Sequence, residues 1–268
     1  MHRFASFNQK IFTPEQINLS AISSAALYGK GIFTTLAIYN EKPFLWEKHW
    51  RRLQENAQKI GIDLSEFSDD LLKISLFELI QKNKIENSRA RITFFDESSS
   101  AIWNFGTKKQ TSVLITTADF KKTQNFHLTV SPYQINSKSP LVNIKSCNYL
   151  ENILALEDAK RKGFDEAVRL NEKGEIVSAS MANLFWIKDE KIYTSALETG
   201  CLAGTIREFL IENFSVEEKI IDLESLMEAD EIFLTSAGIG IKSVAKTNKK
   251  VFENEIINKL QATFAKKI

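Results

Sequence analysis

Little in this 268-residue chain announces a chemistry. It has two cysteines, Cys147 and Cys201, too few for a disulfide framework and in keeping with a reducing cytosol. Its three histidines, His2, His49 and His127, sit far apart, with no pair at i, i+4 and no Cys-x-x-Cys, so a metal-ligand pattern is missing. There is no Gly-x-Ser-x-Gly elbow from which a Ser-His-Asp triad would start. Neither sign of charge dominates: 35 basic against 34 acidic residues leave a formal +1, without the large positive field of most nucleic-acid binders. No apolar run reaches the roughly 20 residues that span a bilayer. The opening Met-His-Arg-Phe-Ala-Ser-Phe-Asn turns polar before forming a signal core, so a cytoplasmic location is expected. Ten glycines and four prolines are too few for a collagen-like, linker-built or disordered chain.

What remains is an ordinary globular composition, 43% hydrophobic and 26% charged, long enough for one large domain or two modest ones. The run from Ile32 to Tyr39 is β-branched and aromatic and ends in the turn Asn40-Glu-Lys-Pro43, which predicts a strand. The glycine-punctuated stretch from residue 25 reads as its extension. An amphipathic helix is predicted over about 47–61, with Trp50, Leu53, Ala57 and Ile60 on one face and Arg52, Glu55 and Lys59 beside it. A second helix over about 69–85 opens on Asp69-Asp70, which suits the positive end of its dipole. Strands follow at 89–95 and 111–117. The polar segment 119–125 reads as a linker between an N-terminal domain, 1–118, and a larger C-terminal domain, 126–268. In the latter, strands are expected at 127–131, 166–170, 175–178, 183–188, 191–194 and 231–235, with helices at 149–163, 204–214, 223–228 and 252–264. Asn148 followed by Glu151 reads as a capping box for the first of these helices. Mixed strands and helices predict a two-domain α/β (α+β) protein.

Three places could carry chemistry. Ala203-Gly-Thr-Ile-Arg-Glu208 opens a helix with glycine and a hydroxyl; such an N-terminus can cradle a phosphate, and the same residues serve plain capping. Thr235-Ser-Ala-Gly238 follows an apolar strand and offers further donors, or a simple turn. Lys145 closes the apolar Leu141-Val-Asn-Ile144, three residues before Asn148. An ammonium in that setting, at the positive end of a helix, would have a lowered pKa, as an imine-forming nucleophile needs. A snorkelling surface lysine fits the same pattern.

Five segments, in order and across nearly the whole chain, are similar to the class IV aminotransferase family of pyridoxal-phosphate enzymes, fold type IV. They are Tyr28-Gly-Lys-Gly-Ile-Phe-Thr-Thr35, His49-Trp-Arg-Arg-Leu53, Ile144-Lys-Ser-Cys-Asn-Tyr-Leu150, Ala182-Asn-Leu-Phe-Trp186 and Gly204-Thr-Ile-Arg207. The family includes branched-chain and D-amino-acid aminotransferases and aminodeoxychorismate lyase. The resemblance implies that Lys145 carries pyridoxal 5'-phosphate, lying between the two domains. Arg52, Thr205, Ile206 and Ser236 would grip its phosphate, although the family more often has the threonine second in Gly-x-Thr. It also implies a homodimer and a small-molecule amino substrate.

Two departures bear on the activity. Five residues before Asn183, where the family places a glutamate against the pyridine nitrogen, this chain has Ser178; a hydroxyl can hydrogen-bond the ring but not hold its charge. That leans toward elimination or toward a sluggish aminotransferase, unless a slipped alignment hides a partner such as Glu175. The arginine that many aminotransferases carry near the end of the 89–95 strand falls on Phe94 or Phe95. Arg91 could substitute from the same strand face, or be a surface arginine. Phe33-Thr-Thr35 resembles the lyase, where the second threonine is implicated in proton transfer, so Thr35 joins Lys145 as a catalytic candidate; a β-branched strand residue is the plain alternative. The expectation is a lyase that makes 4-aminobenzoate and pyruvate. An aminotransferase for branched-chain or D-amino acids, or a non-catalytic relative serving as a binding module, are the alternatives.

Overall fold

The computed structural model describes residues 1–98, 100–101, 104–105, 110–120, 125–247 and 250–267. By its own contacts the chain forms two units, residues 1–120 with 144–148, and residues 121–143 with 149–268. Residues 121–124 of the expected linker lie outside the described residues.

The first unit runs β1 (Ala5–Phe7), β2 (Lys10–Phe12), α1 (Ser24–Tyr28), β3 (Gly31–Tyr39), β4 (Lys42–Pro43), α2 (Trp46–Ile60), α3 (Asp69–Asn83), β5 (Ser88–Asp96), the short β6 (Ser100–Ala101) and β7 (Asn104–Phe105), and β8 (Thr111–Ala118). Six strands form an antiparallel sheet in the order β2-β1-β8-β5-β3-β4. Strand alternation sorts β3 into two faces. Ile32, Leu36 and Ile38 pack with Leu53 and Ala57 of α2 and Leu72, Leu76 and Leu79 of α3 in one buried cluster. Phe33 and Thr35 take the other face. α3 begins where the Ser68 hydroxyl accepts from the Leu71 N–H, an N-cap reinforced by Asp69 and Asp70.

Residues 24–28 are helical rather than extended. Ser23 caps the turn by accepting from Ala26 N–H, and Gly29 ends it at φ 64°, a left-handed conformation natural to glycine. β1 and β2, three residues each, are too short to leave a periodic signal.

The second unit contains β9 (Phe126–Val130), α4 (Leu150–Arg161), β10 (Glu166–Leu170), β11 (Ile176–Ala179), β12 (Asn183–Lys188), β13 (Lys191–Ser195), α5 (Thr205–Asn213), β14 (Val216–Lys219), α6 (Leu223–Met227), β15 (Glu231–Ser236), β16 (Gly240–Thr247) and α7 (Glu255–Ala265). Its mixed sheet has the order β11-β10-β9-β16-β15-β12-β13-β14. Leu128, Val168, Ile176, Leu184, Ile232, Leu234 and Val244 fill the core.

Two expected helix starts shift, and one strand goes unpredicted, for physical reasons. α4 starts one residue late, on Tyr149 without a side-chain cap, and the Asn148 side chain is turned toward Gly29, its Nδ2 donating to that carbonyl at 3.1 Å. β16 escapes a sequence reading because lysines and serine interrupt it. Pairing with β15 and β9 creates the strand, a tertiary override of weak propensity. α7 begins at Glu255 since Phe252 is drawn into the core, its N–H bound to the Ala245 carbonyl. Among the described residues, no helix is long and apolar enough to cross a membrane, and no cluster of three metal-ligating side chains forms.

Candidate active site

Lys145 was expected in the C-terminal domain; contacts place residues 144–148 with the first unit. The reason is backbone pairing along the open beginning of β3. The Phe33 N–H donates to the Lys145 carbonyl at 2.9 Å and the Cys147 N–H to the Gly31 carbonyl at 2.8 Å, with Ser146 bridged to Ile32. A third hydrogen bond runs from the Lys145 N–H to Asn56 Oδ1 on α2, at 2.7 Å. Gly31 permits this approach: a Cβ there would lie 2.8 Å from both Cys147 Sγ and the Phe94 carbonyl. The lysine backbone is thus fixed on both sides, which leaves its side chain a narrow range of positions.

That side chain, half-buried, reaches over Phe33, with Nζ 4.5 Å from the ring centroid. The Arg91 guanidinium lies over the same ring at 3.6 Å. Both are cation–π distances. Arg91 is the direct antiparallel partner of Thr35, so Phe33, Thr35 and Arg91 share one sheet face. Although exposed, Arg91 is not an isolated surface arginine: Nε donates to Thr93 Oγ1 at 3.2 Å, and it hydrogen-bonds Cys147. Phe94 points the opposite way into the core, edge-on to Phe67 at 5.2 Å.

Burial, then the charges of Arg52 and Arg91, push the Lys145 ammonium down to a pKa of about 7. At neutral pH roughly half of the amine is unprotonated, against about one part in 3,000 for an unperturbed lysine. Such an amine can attack a carbonyl or accept a proton from carbon.

Arg52 is buried on α2 with His49 and Asn56. Spacings of three and four put these polar side chains on one helix face among Trp46, Leu53 and Ala57. The Arg52 Nη2 donates to Thr34 Oγ1 at 2.7 Å, and Thr34 Oγ1 lies 2.6 Å from His49 Nδ1. Burial, with the charges of Arg52 and Lys145, holds the His49 pKa well below the usual imidazole value, so the ring is neutral at pH 7. The first unit therefore brings Lys145 within electrostatic reach of Arg52 and Arg91, and Thr35, paired with Arg91, lies on the far face of β3 from Thr34.

In the second unit, α5 starts at Gly204 without a side-chain cap, with Thr205 and Ile206 buried in its first turn. Asn183 organises this start. Its Nδ2 donates to the Leu202 carbonyl at 2.8 Å, and its Oδ1 occupies the space a Cβ of residue 204 would need. On the neighbouring strand Asn183 faces Thr235, one residue before Ser236. The helix start and the end of β15 thus come to the same end of the sheet. Ser178 lies on β11, paired in register with Arg169 of β10. Arg169 is fully buried, donating to the Tyr133 and Gln134 carbonyls at 3.3 and 3.2 Å, with Glu151 at 3.6 Å. Glu175, the other candidate for the place of Ser178, accepts from Asn171 Nδ2 at 2.6 Å.

Thr34, Asn56 and Asn183 had not been singled out as site residues. Asn56 had one signal, its i+4 spacing from Arg52. Asn183 marked a motif without a role, and Thr34 becomes visible only when α2 is laid across β3.

A family model described as amino-transferase class IV matches residues 31–247. An aminodeoxychorismate lyase of Bacillus subtilis is 29% identical over 265 residues, 93% of this chain and 89% of the relative. A D-alanine aminotransferase of Staphylococcus aureus is 26% identical over 275 residues, covering 97% of this chain and 96% of the relative. The solved structure of an Escherichia coli branched-chain amino acid aminotransferase has a TM-score of 0.91 at 24% identity, over 98% of this chain and 94% of that one, a likeness of fold.

Proposed function

The chain belongs to the class IV amino-transferase family, and on that premise we propose that it is a pyridoxal-phosphate lyase that splits 4-amino-4-deoxychorismate into 4-aminobenzoate and pyruvate. The observation that carries this reading is the placement of Lys145 Nζ over the Phe33 ring, on the sheet face of Thr35 and Arg91, where burial pushes its pKa down to about 7. The residues fit the coenzyme. A lysine with a pKa of about 7 suits its aldehyde, a buried guanidinium at Arg52 suits its phosphate, and α5 opens uncapped.

When bound, pyridoxal 5'-phosphate supplies an electron-withdrawing ring that acidifies the C–H beside the substrate amine. Lys145 Nζ would hold the coenzyme, yield it to that amine, and then take the proton from the carbon bearing the amine. The C–H electron pair becomes a ring double bond, and the neighbouring C–O bond breaks with its pair on oxygen. Thr35 Oγ1 would relay to this oxygen the proton that Lys145 has taken, gaining one from the ammonium as it gives one up, so that enolpyruvate leaves and tautomerises to pyruvate and both residues return to their starting state. No electrons are gained or lost overall. Arg91 is placed to bind a substrate carboxylate. Arg52, Thr205, Ile206 and Ser236 are proposed as phosphate contacts, and Ser178 as the hydroxyl toward the ring nitrogen. A homodimer and a cytoplasmic location belong to the same proposal.

The match to the D-alanine aminotransferase over 97% of the chain favours a second reading, transamination of an amino acid. One experiment separates them. The purified chain is mixed with an enzyme that forms 4-amino-4-deoxychorismate, and 4-aminobenzoate is followed by its fluorescence. Formation of 4-aminobenzoate with little 2-oxo acid from added amino acids supports the lyase. Rapid amino-donor turnover without 4-aminobenzoate refutes it. Borohydride reduction of the loaded protein must tag the peptide containing Lys145.

A further inference from the structure

The contact between Thr34 and His49 has no part in the chemistry above, although it is among the shortest polar contacts in the first unit. Proton bookkeeping gives it a direction. A guanidinium N–H can only donate, so Thr34 Oγ1 accepts from Arg52 Nη2 at 2.7 Å. The hydroxyl still has its own proton, and His49 Nδ1, at 2.6 Å, is its one acceptor among the described residues. His49 Nδ1 is therefore the unprotonated nitrogen and Nε2 carries the proton, a tautomer set by the hydroxyl. Polarised by the guanidinium, the Thr34 O–H is a stronger donor toward imidazole, and each hydrogen bond reinforces the next. All three side chains are buried: His49 is 1% exposed, Thr34 0% and Arg52 8%. His49 and Arg52 lie three residues apart on α2, and Thr34 comes from β3, so the chain of bonds fixes helix to strand at the guanidinium.

We propose that His49 is a positioning residue: acting through Thr34 Oγ1, it fixes the Arg52 guanidinium in the orientation that binds a phosphate dianion. The claim deepens the reading of Arg52 as a phosphate contact and rests on it. A chain that includes imidazole as acceptor has a consequence that simple filling of space does not. What matters is an acceptor at the Nδ1 position, and the effect falls on the phosphate alone. An Asn side chain places its oxygen near the Nδ1 position and a Gln side chain near Nε2, so the two amides separate these cases.

The test measures dissociation of two ligands from the full-length protein by their visible absorbance: pyridoxal 5'-phosphate and its unphosphorylated counterpart pyridoxal. His49→Gln and Thr34→Val should weaken the phosphorylated ligand about 10-fold or more, the loss of one charge-assisted hydrogen-bond geometry, and leave pyridoxal unchanged. His49→Asn and Thr34→Ser should keep the phosphorylated ligand within about threefold of the parent. Equal weakening of both ligands, or equal behaviour of the Asn and Gln variants, would overturn the proposal. If Thr34→Val fails to fold, the comparison of the two amides decides alone. A parent protein that binds pyridoxal no worse than pyridoxal phosphate would refute the reading of Arg52 and this inference with it. A parent that distinguishes the two, alongside variants that match it, refutes only the role of His49.

Discussion

Replacing Arg91 by methionine keeps an unbranched stem against Phe33 and removes one positive charge from the neighbourhood of Lys145. The two cations lie over the same ring, at 3.6 and 4.5 Å from its centre, so they are at most about 8 Å apart, and at an effective dielectric of about 20 their repulsion is about 2 kcal/mol. Arg91 is exposed, and screening over a Debye length of roughly 8–10 Å halves this to about 1 kcal/mol. Removing the charge therefore raises the Lys145 pKa by about 0.7 unit, from about 7 to nearly 8. At pH 7 the neutral fraction falls from about one half to about one sixth. The assay is competitive acetylation of the cofactor-free protein across pH, with the Lys145 peptide quantified by mass spectrometry. A midpoint that stays in place or moves to lower pH refutes the electrostatic reasoning, and a parent midpoint near that of a free lysine refutes the lowered pKa itself.

Lys145→Met should raise the melting temperature of the cofactor-free protein at pH 6–7, because the folded state holds the ammonium against its preference. The unfolded chain binds more protons between pH 7 and the ordinary lysine value, so parent stability climbs across that window and the difference shrinks toward pH 10.5. A difference that grows with pH would contradict this. Gly204→Ala forces a methyl into the Asn183 amide and should cost about 1–3 kcal/mol in denaturant unfolding, with looser coenzyme binding; unchanged stability would show that Asn183 does not organise the start of α5. Ser178→Glu should increase amino-acid-driven pyridoxamine phosphate formation several-fold at the expense of 4-aminobenzoate release, and no change in the ratio would remove Ser178 from the argument. Thr35→Val should lower kcat for 4-aminobenzoate formation about 10²-fold or more, in the range of a lost proton-transfer group, with coenzyme affinity retained.

Much of this was legible before any coordinates, and unevenly so. α2 follows from 3.6-residue spacing, since a buried face imposes its period on the residues that fill it, whereas β3 follows from its β-branched and aromatic run between turn signals and α3 from the acidic pair that opens it. Arg52 and Lys145 stood out by motif, but their physical character did not. The lowered pKa of Lys145 comes first from burial, then from Arg52 and from Arg91, the last 54 positions away by numbering and brought to β3 by the β3–β5 register. Thr34 reads as one more β-branched strand residue until the helix behind it supplies His49 and Arg52. Asn148 shows the converse: a sound local capping signal goes unused in a side chain turned toward a distant carbonyl, to which its Nδ2 donates at Gly29.

The placement of residues 144–148 has a consequence for how the protein is made. β3 has β5 along one side, and β4 covers only its far end, at Ile38 and Tyr39. The beginning of the strand is completed by residues synthesised more than a hundred positions later. A growing chain with its first 120 residues outside the ribosome has all the strands of its first sheet yet leaves that border open. No single cut yields the first unit intact. An expression fragment ending near residue 120 would lack both Lys145 and the segment that seals the strand, and should be sought in inclusion bodies.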